Sequence, residues 1–276
     1  MKKLISLLIF LTFSFSGFSQ DVKVMSYNIK YDNVSDTVNN WNNRKEAMIS
    51  LVKHYEASFI GMQEVLHRQL TYLDSSLTDY EYIGVGRDDG KTKGEYSPIL
   101  YNSLKYKVIE NNTFWLSKTP NKISKGWDAS LERICTYGLF EDLETGKRLY
   151  VFNTHFDHRG KEARVKSAEL IYQKITEANK EELPVILMGD LNLPPESNPI
   201  QFLQSKLVDG KNHTIKAFYG PSGTFSGFNH DRKLDHRIDY IFGKNLEFYT
   251  YIHIDDRMEN NKHISDHLPI LASFKF

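Results

Sequence analysis

From Asp21 onward, apolar positions fall into short runs that alternate between two periods. Val22 to Ile29, Phe59 to Met62, Tyr80 to Val85, Ser97 to Tyr101, Lys107 to Leu116, Ile134 to Glu141 and Leu149 to His155 read as strands. So do Val185 to Met188, His236 to Phe242, Leu246 to Ile254 and Ile270 to Phe276. Trp41 to Tyr55 follows the helical period, with Ala47, Met48, Leu51 and Val52 on one face, and His67 to Ser76, Lys161 to Ala178 and a short turn from Pro199 to Leu203 are also helical. Glu144-Thr145-Gly146 forms a hairpin turn, and the polar stretch Arg87 to Glu95 reads as an exposed loop. Strands outnumber helices and the two kinds are interleaved, without a long linker or a repeat. Two packed sheets with helices outside them fit this order better than one parallel sheet.

The first nineteen residues differ from the rest. Lys2 and Lys3 precede the apolar run Leu4 to Phe13, and Gly17 and Ser19 stand where a cleavage site before Gln20 needs small residues. This pattern is that of a secretory signal peptide, and the run is short for a membrane span. An exported mature chain, 20–276, folded as one domain and acting as a monomer, is therefore expected. Cleavage removes two lysines and no acid, so 35 basic residues become 33 against 35 acidic ones. A balance so close to zero excludes a bulk polyanion binder but allows a local basic patch. Cys135, the only cysteine, has no internal disulfide partner and sits in a strand-like run as a small core residue.

Polar groups recur where the apolar runs end. Asn28 closes the first strand, and Gln63-Glu64-Val65 follows the second. His155, with Asp157 and His158 just after it, ends Tyr150-Val151-Phe152-Asn153-Thr154. Asp190 and Asn192 end Val185-Ile186-Leu187-Met188-Gly189, with Gly189 allowing a turn and period two placing both side chains on one side of an extended chain. Asp239 lies in Arg237-Ile238-Asp239-Tyr240, and Ser265-Asp266-His267 leads into the last strand. An acid beside a neutral amide suits phosphoryl transfer, because one can orient or deprotonate water while the other donates to developing charge. Each group alone also reads as a turn cap or a hydrogen-bonded core residue. Together, at the ends of several strands, they describe one crevice.

Asn28, Gln63-Glu64-Val65, Gly189-Asp190-Leu191-Asn192 and Ser265-Asp266-His267 stand in the order and spacing of the endonuclease/exonuclease/phosphatase superfamily, which this chain resembles over its whole mature length. The resemblance implies an α/β (α+β) four-layer sandwich, two packed mixed β-sheets flanked by helices, carrying a divalent-metal phosphohydrolase site. It implies Glu64 as principal metal ligand with Asn28 and Asp266 beside it, magnesium as the natural ion for such hard oxygens, and manganese as a substitute. By the same resemblance Asp190 positions the attacking water, Asn192 stabilises the transition state, and His267, held by Asp239, contacts the phosphate.

His155 stands where the deoxyribonuclease I branch places a second phosphate-contacting histidine, Glu95 where that branch has its partner, and Arg133 near a phosphate-binding arginine. Lys30 replaces the acid that abasic-site enzymes carry two residues after the first Asn. Phe114-Trp115-Leu116-Ser117, Gly126-Trp127-Asp128-Ala129 and Thr154-His155-Phe156-Asp157-His158 resemble exported bacterial members. Asp128, Asp157 and Arg164 are then supports or substrate contacts, and Trp127 either stacks on a ring of the substrate or packs in the core. The reading is a secreted phosphodiesterase or nuclease acting on a phosphoester substrate. Its alternatives are a phosphomonoesterase of sugar, inositol or nucleotide phosphates, and a catalytically silent binding protein on the same fold.

Overall fold

Every central strand divides its side chains between two layers. In β1 (Val22–Asn28), Met25 and Tyr27 pack outward with α1 (Lys45–Tyr55) and α2 (His67–Ser76), while Val22 and Val24 face the other sheet. In β8 (Val185–Asp190), Val185 and Leu187 pack with α3 (Lys161–Ala178) and α4 (Asn198–Gln204), while Ile186 and Met188 face inward. The alternation follows from period two in strands buried on both faces. The computed structural model that shows this describes residues 22–275. The expected signal peptide lies outside the described residues.

The remaining strands are β2 (Phe59–Gln63), β3 (Tyr80–Ile83), β4 (Ile99–Asn102), β5 (Tyr106–Trp115), β6 (Ile134–Asp142), β7 (Arg148–His155), β9 (Val208–Asp209), β10 (Asp239–Lys244), β11 (Glu247–His253) and β12 (Ile270–Lys275). They form two mixed six-stranded sheets, ordered β11-β12-β1-β2-β4-β3 and β5-β6-β7-β8-β10-β9. Helices α1 and α2 cover the first sheet and α3 and α4 the second, so the four layers expected from the sequence are present. No helix among the described residues is long and apolar enough to cross a membrane.

Register brings the chemistry to one edge. β1 and β2 run parallel with Asn28 opposite Gln63, β7 and β8 run parallel with His155 opposite Asp190, and antiparallel β10 sets Asp239 opposite Asp190. His155, Asp190 and Asp239 therefore form a row across three strands, all with the parity that faces the other sheet. Just below them a buried polar bridge ties the sheets together: Gln63 Nε2 donates to Asn153 Oδ1 at 2.7 Å, and Asn153 Nδ2 donates to the carbonyls of Met62 and Pro98, both at 2.8 Å. In such a low-dielectric interior these bonds fix one sliding position of the sheets.

Four local readings change. Trp41 to Tyr55 is not one helix: a 3-10 turn at Trp41–Asn43 breaks at Arg44 before α1. Arg44 turns inward and donates to the carbonyls of Asn39, Ile29, Ile264 and Lys30 at 2.7, 2.8, 2.8 and 3.2 Å, satisfying a buried guanidinium with backbone alone. The loop Arg87 to Glu95 is exposed at Asp88 and Lys91 to Lys93 as expected, but its ends are not, because Arg87 is buried and clamps Glu95 through two bonds of 2.8 and 3.0 Å. Gly189 is not a turn residue but lies within β8, where a Cβ would meet the Thr154 carbonyl oxygen. Finally, the strand expected from His236 begins only at Asp239, and two-residue β9 has no periodic signal to announce it.

Candidate active site

Three of the strand ends stop in the same way. One or two residues beyond β1, β2 and β8, Lys30, Glu64 and Asn192 take left-handed backbone, with φ of +59, +60 and +51°. Non-glycine residues adopt this conformation at a cost of about 1 kcal/mol or more, and such strain collects at functional sites. The turn carries Asn192 out of the extended geometry that would have placed it level with Asp190. The two still meet, because the Asn192 amide N–H donates to Asp190 Oδ1 at 2.9 Å.

Asp190 is the centre of the arrangement. Its Oδ2 accepts from Asn28 Nδ2 at 3.0 Å, and lies 3.4 Å from His155 Nε2 and 3.7 Å from His267 Nε2. Asn28 Nδ2 also donates to Glu64 Oε1 at 3.2 Å, joining the two sheets through one amide. His267 Nδ1 and Asp239 Oδ2 are 2.9 Å apart, and the same carboxylate oxygen accepts from Thr224 Oγ1 at 2.6 Å. Lys30 Nζ is 3.4 Å from both Glu64 Oε2 and Asp266 Oδ2. Lys30, Glu64, His155, Asp190, Asp266 and His267, with Arg133, His158 and Phe225, line a cleft of about 490 Å³, and Asn28, Asp239 and Thr224 lie behind them.

The electrostatics separate the titrating groups. Burial pushes Asp190 up to about 7, with Asp239 adding to the shift and His267 opposing it. Burial alone would depress His267, but the Asp239 and Asp190 carboxylates carry it up to about 10, so it stays an imidazolium through neutral pH. His155 moves the other way, held well below the usual histidine range by burial and by Arg133 and Arg87. As a neutral ring it accepts from Asn192 Nδ2 at 3.1 Å, since that amide's other proton goes to the Phe156 carbonyl. Its Nδ1 then carries the proton and points toward Glu95 Oε2, 3.9 Å away, without a hydrogen bond. Burial would raise Glu64 too, but Lys30, His267 and the Tyr31 N–H hold it below the ordinary carboxyl value.

Asn28, Glu64, His155, Asp190, Asn192, Asp239, Asp266 and His267, singled out in the sequence, thus come together at one end of the sandwich. Arg133 joins them, with Nη2 at 3.1 Å from His158 Nδ1 and with Nε and Nη1 buried without a hydrogen-bond partner. Glu95 also lies there, but paired with Arg87 rather than with His155. Trp127 is not among the lining residues; in left-handed backbone at φ +47°, it lines a separate groove with Lys118, Lys166 and Lys174. Asp128 and Asp157 serve the architecture. Asp128 accepts from the amides of Glu162 and Ala163 at the start of α3, and Asp157 from those of Ser130, Arg159 and Gly160. Arg164 donates to the Asp157 carbonyl at 3.1 Å. Sequence reasoning missed Arg87 and Thr224, neither of which ends an apolar run, although Arg87 opens the polar stretch that closes with its partner Glu95.

Two sets of atoms could hold a cation. Asp190, Asp239 and His267 are the group among the described residues whose ligand atoms all lie within 4.8 Å of one another. A 2.9 Å bond already joins His267 to Asp239 there, which suits a proton-holding pair. The Glu64 and Asp266 carboxylates, with the Asn28 amide, form a hard-oxygen set that already brackets an ammonium, so its charge fits a cation. Which Asn28 atom is oxygen follows from hydrogen bonding rather than shape, and turning the amide over would aim Oδ1 at Glu64.

This chain is similar to proteins described as nucleases or phosphatases. A structure from Bacteroides vulgatus, described as an endonuclease/exonuclease/phosphatase, superposes with a TM-score of 0.88 at 38% identity, over 93% of this chain and 99% of the other. A mannosyl-6-phosphatase of Bacteroides thetaiotaomicron superposes with a TM-score of 0.89 at 37% identity, over 92% and 100%. The Ccr4 3'-5'-exoribonuclease subunit of Mycosarcoma maydis is 23% identical over 84% of this chain, which spans only 42% of the fungal protein's length. The Endonuclease/Exonuclease/phosphatase family profile matches residues 25–267, nearly the whole described chain. This chain belongs to that family of divalent-metal-dependent phosphoester hydrolases.

Proposed function

We propose that the protein is a magnesium-dependent phosphomonoesterase of small polar phosphates, hexose phosphates foremost, acting outside the cytoplasm after removal of its first nineteen residues. The observation that carries the hydrolytic reading is the separation of two adjacent titrating groups: buried Asp190 is shifted to neutral titration, while His267 Nε2, 3.7 Å away, remains protonated. Groups pushed apart in this way take base and acid roles. The small cleft, the near-zero net charge and the 37% identity to a mannosyl-6-phosphatase support a small monoester over a polynucleotide. A phosphodiester of nucleic acid is the second reading, supported by the likeness to an exoribonuclease subunit and by Arg133 and His155 beside the cleft.

In this proposal Glu64, Asn28 and Asp266 hold the magnesium ion. When bound, that ion supplies neutralising charge to a phosphoryl oxygen and to the leaving alkoxide. Asp190, its carboxylate held by the Asn192 amide, accepts a proton from the attacking water as the water oxygen bonds to phosphorus and the phosphorus–oxygen bond to the leaving alkoxide breaks, the alkoxide taking its proton from solvent. His267 donates from Nε2 to a phosphoryl oxygen, and Asp239 keeps that ring charged and oriented. Arg133 turns its unpartnered N–H groups to the phosphate, while Glu95 stays with Arg87. Asn192 contributes once the substrate draws its amide from the Phe156 carbonyl or from His155.

Phosphate release from mannose 6-phosphate, p-nitrophenyl phosphate and bis(p-nitrophenyl) phosphate, with magnesium and with EDTA, tests the substrate class. Metal-dependent turnover of the monoesters at a much higher kcat/KM than the diester is expected. The reverse order would favour the second reading. In pH–rate profiles, activity rises as Asp190 ionises, through about 7 in the absence of other charge and lower beside a bound cation, and falls as His267 loses its proton toward about 10. Asp239→Asn removes the larger of the carboxylate effects that hold His267 up, so the alkaline limb moves to lower pH, and the acid limb moves the same way because Asp239 also adds to the shift of Asp190. An unmoved limb would assign that titration to another group.

A further inference from the structure

Lys30 is held at its root and loose at its tip. Its amide donates to Asn28 Oδ1 at 3.0 Å, and its carbonyl accepts from Arg44 Nη2 at 3.2 Å and Gln69 Nε2 at 3.0 Å. The side chain is 28% exposed, lines the cleft, and ends with its ammonium 3.4 Å from both Glu64 Oε2 and Asp266 Oδ2. The Tyr31 ring, with its centroid 4.7 Å from Nζ, offers the same charge a second contact at the mouth of the cleft. An ammonium is a compact point charge on a flexible stem, able to leave one set of oxygens for another at little cost in geometry.

We propose that Lys30 is the built-in counter-cation of the metal seat: it competes with magnesium for Glu64 and Asp266, and passes to the substrate's phosphate when magnesium enters. The proposal rests on the assignment of that seat made above. Like charges cannot share the two carboxylates, so Lys30 lowers the resting affinity for the ion. A phosphate that takes up the ammonium removes this competition, and each ligand then favours the other by the same factor, as linkage requires. A dianionic monoester neutralises the ammonium more fully than a monoanionic diester, so the device also biases the site toward monoesters.

The test is calorimetric titration of magnesium into the mature protein and into Lys30→Met, with and without inorganic phosphate, and with Lys30→Gln as a second uncharged variant should the first fold poorly. Without phosphate, Lys30→Met is expected to bind magnesium about tenfold more tightly, within the usual range of coupling between sites. Phosphate should tighten magnesium binding to the parent by a similar factor and to the variant much less. Equal or weaker binding by both variants, or an undiminished phosphate effect, would overturn the proposal. Glu64→Gln separates the two levels of the account: if the parent binds no magnesium, or Glu64→Gln binds it normally, the seat is misassigned and the role of Lys30 falls with it.

Discussion

Asp190→Asn is expected to lower kcat/KM for the phosphoester by about 10²–10⁴-fold, the range usual for loss of a general base, while raising the thermal stability of the metal-free protein. The amide keeps an acceptor for the Asn192 N–H but cannot take a proton from water. Its NH₂ faces Asn28 Nδ2, so the bond between the two side chains is lost, and Asn28 cannot turn over without setting its oxygen against Glu64 and its NH₂ against the Lys30 N–H. The stability change follows from linkage. In the unfolded chain an aspartate titrates near ~3.9, whereas folded Asp190 titrates at about 7. The unfolded state therefore loses its proton first, and stability declines as pH rises between those values. Removing the charge removes that decline, so catalysis and stability should move in opposite directions. Measuring kcat/KM and the melting temperature on the same preparations checks both. A variant that is inactive because it is less stable at neutral pH would contradict the role assigned to Asp190.

Asp209→Ala is expected to cost about 3–5 kcal/mol of folding stability, read from the urea midpoint, because it strands a buried arginine. Arg237 donates to Asp209 through Nη1 at 2.9 Å and Nη2 at 2.5 Å, with both residues buried and the guanidinium set over the Tyr240 ring at 4.3 Å. Solvation cannot replace a partner lost from that position. Replacing the pair together, as Asp209→Ala with Arg237→Met, should recover much of the loss, since neither charge is then left buried. Arg237 stands two residues before Asp239, so the single variant should also loosen the strand end that orients His267. Loss of less than about 1 kcal/mol in the single variant would place the pair among weak surface-type contacts instead.

The layers and the polar strand ends were legible in the sequence for the same reason. In a four-layer sandwich each central strand is buried on both faces, so it reads as an apolar run, and a polar group at its last inward position interrupts that run visibly. Asn28, His155 and Asp190 are such interruptions. Partners across the fold leave no such trace. Arg44 contacts Ile264 from 220 residues away, and Asp209 finds Arg237 across 28 residues from a two-residue strand, so nothing local distinguishes them from ordinary surface charges. Glu95 shows the same limit. Its place near His155 could be anticipated, but its choice of Arg87 depends on how a nine-residue polar segment folds back on itself. Trp127, a half-buried aromatic in left-handed backbone, turned to the α3 groove because its neighbour Asp128 is needed to cap that helix.

The central claim is that water, oriented by Asp190 in this cleft, attacks phosphorus. It is tested most directly by hydrolysing mannose 6-phosphate with the magnesium-loaded protein in heavy-oxygen water and weighing both products. The account predicts one solvent oxygen in the released phosphate, none at O6 of the sugar, and release by Asp190→Asn slowed about 10²–10⁴-fold. Solvent oxygen at O6 of the sugar, or undiminished release by Asp190→Asn, would contradict it.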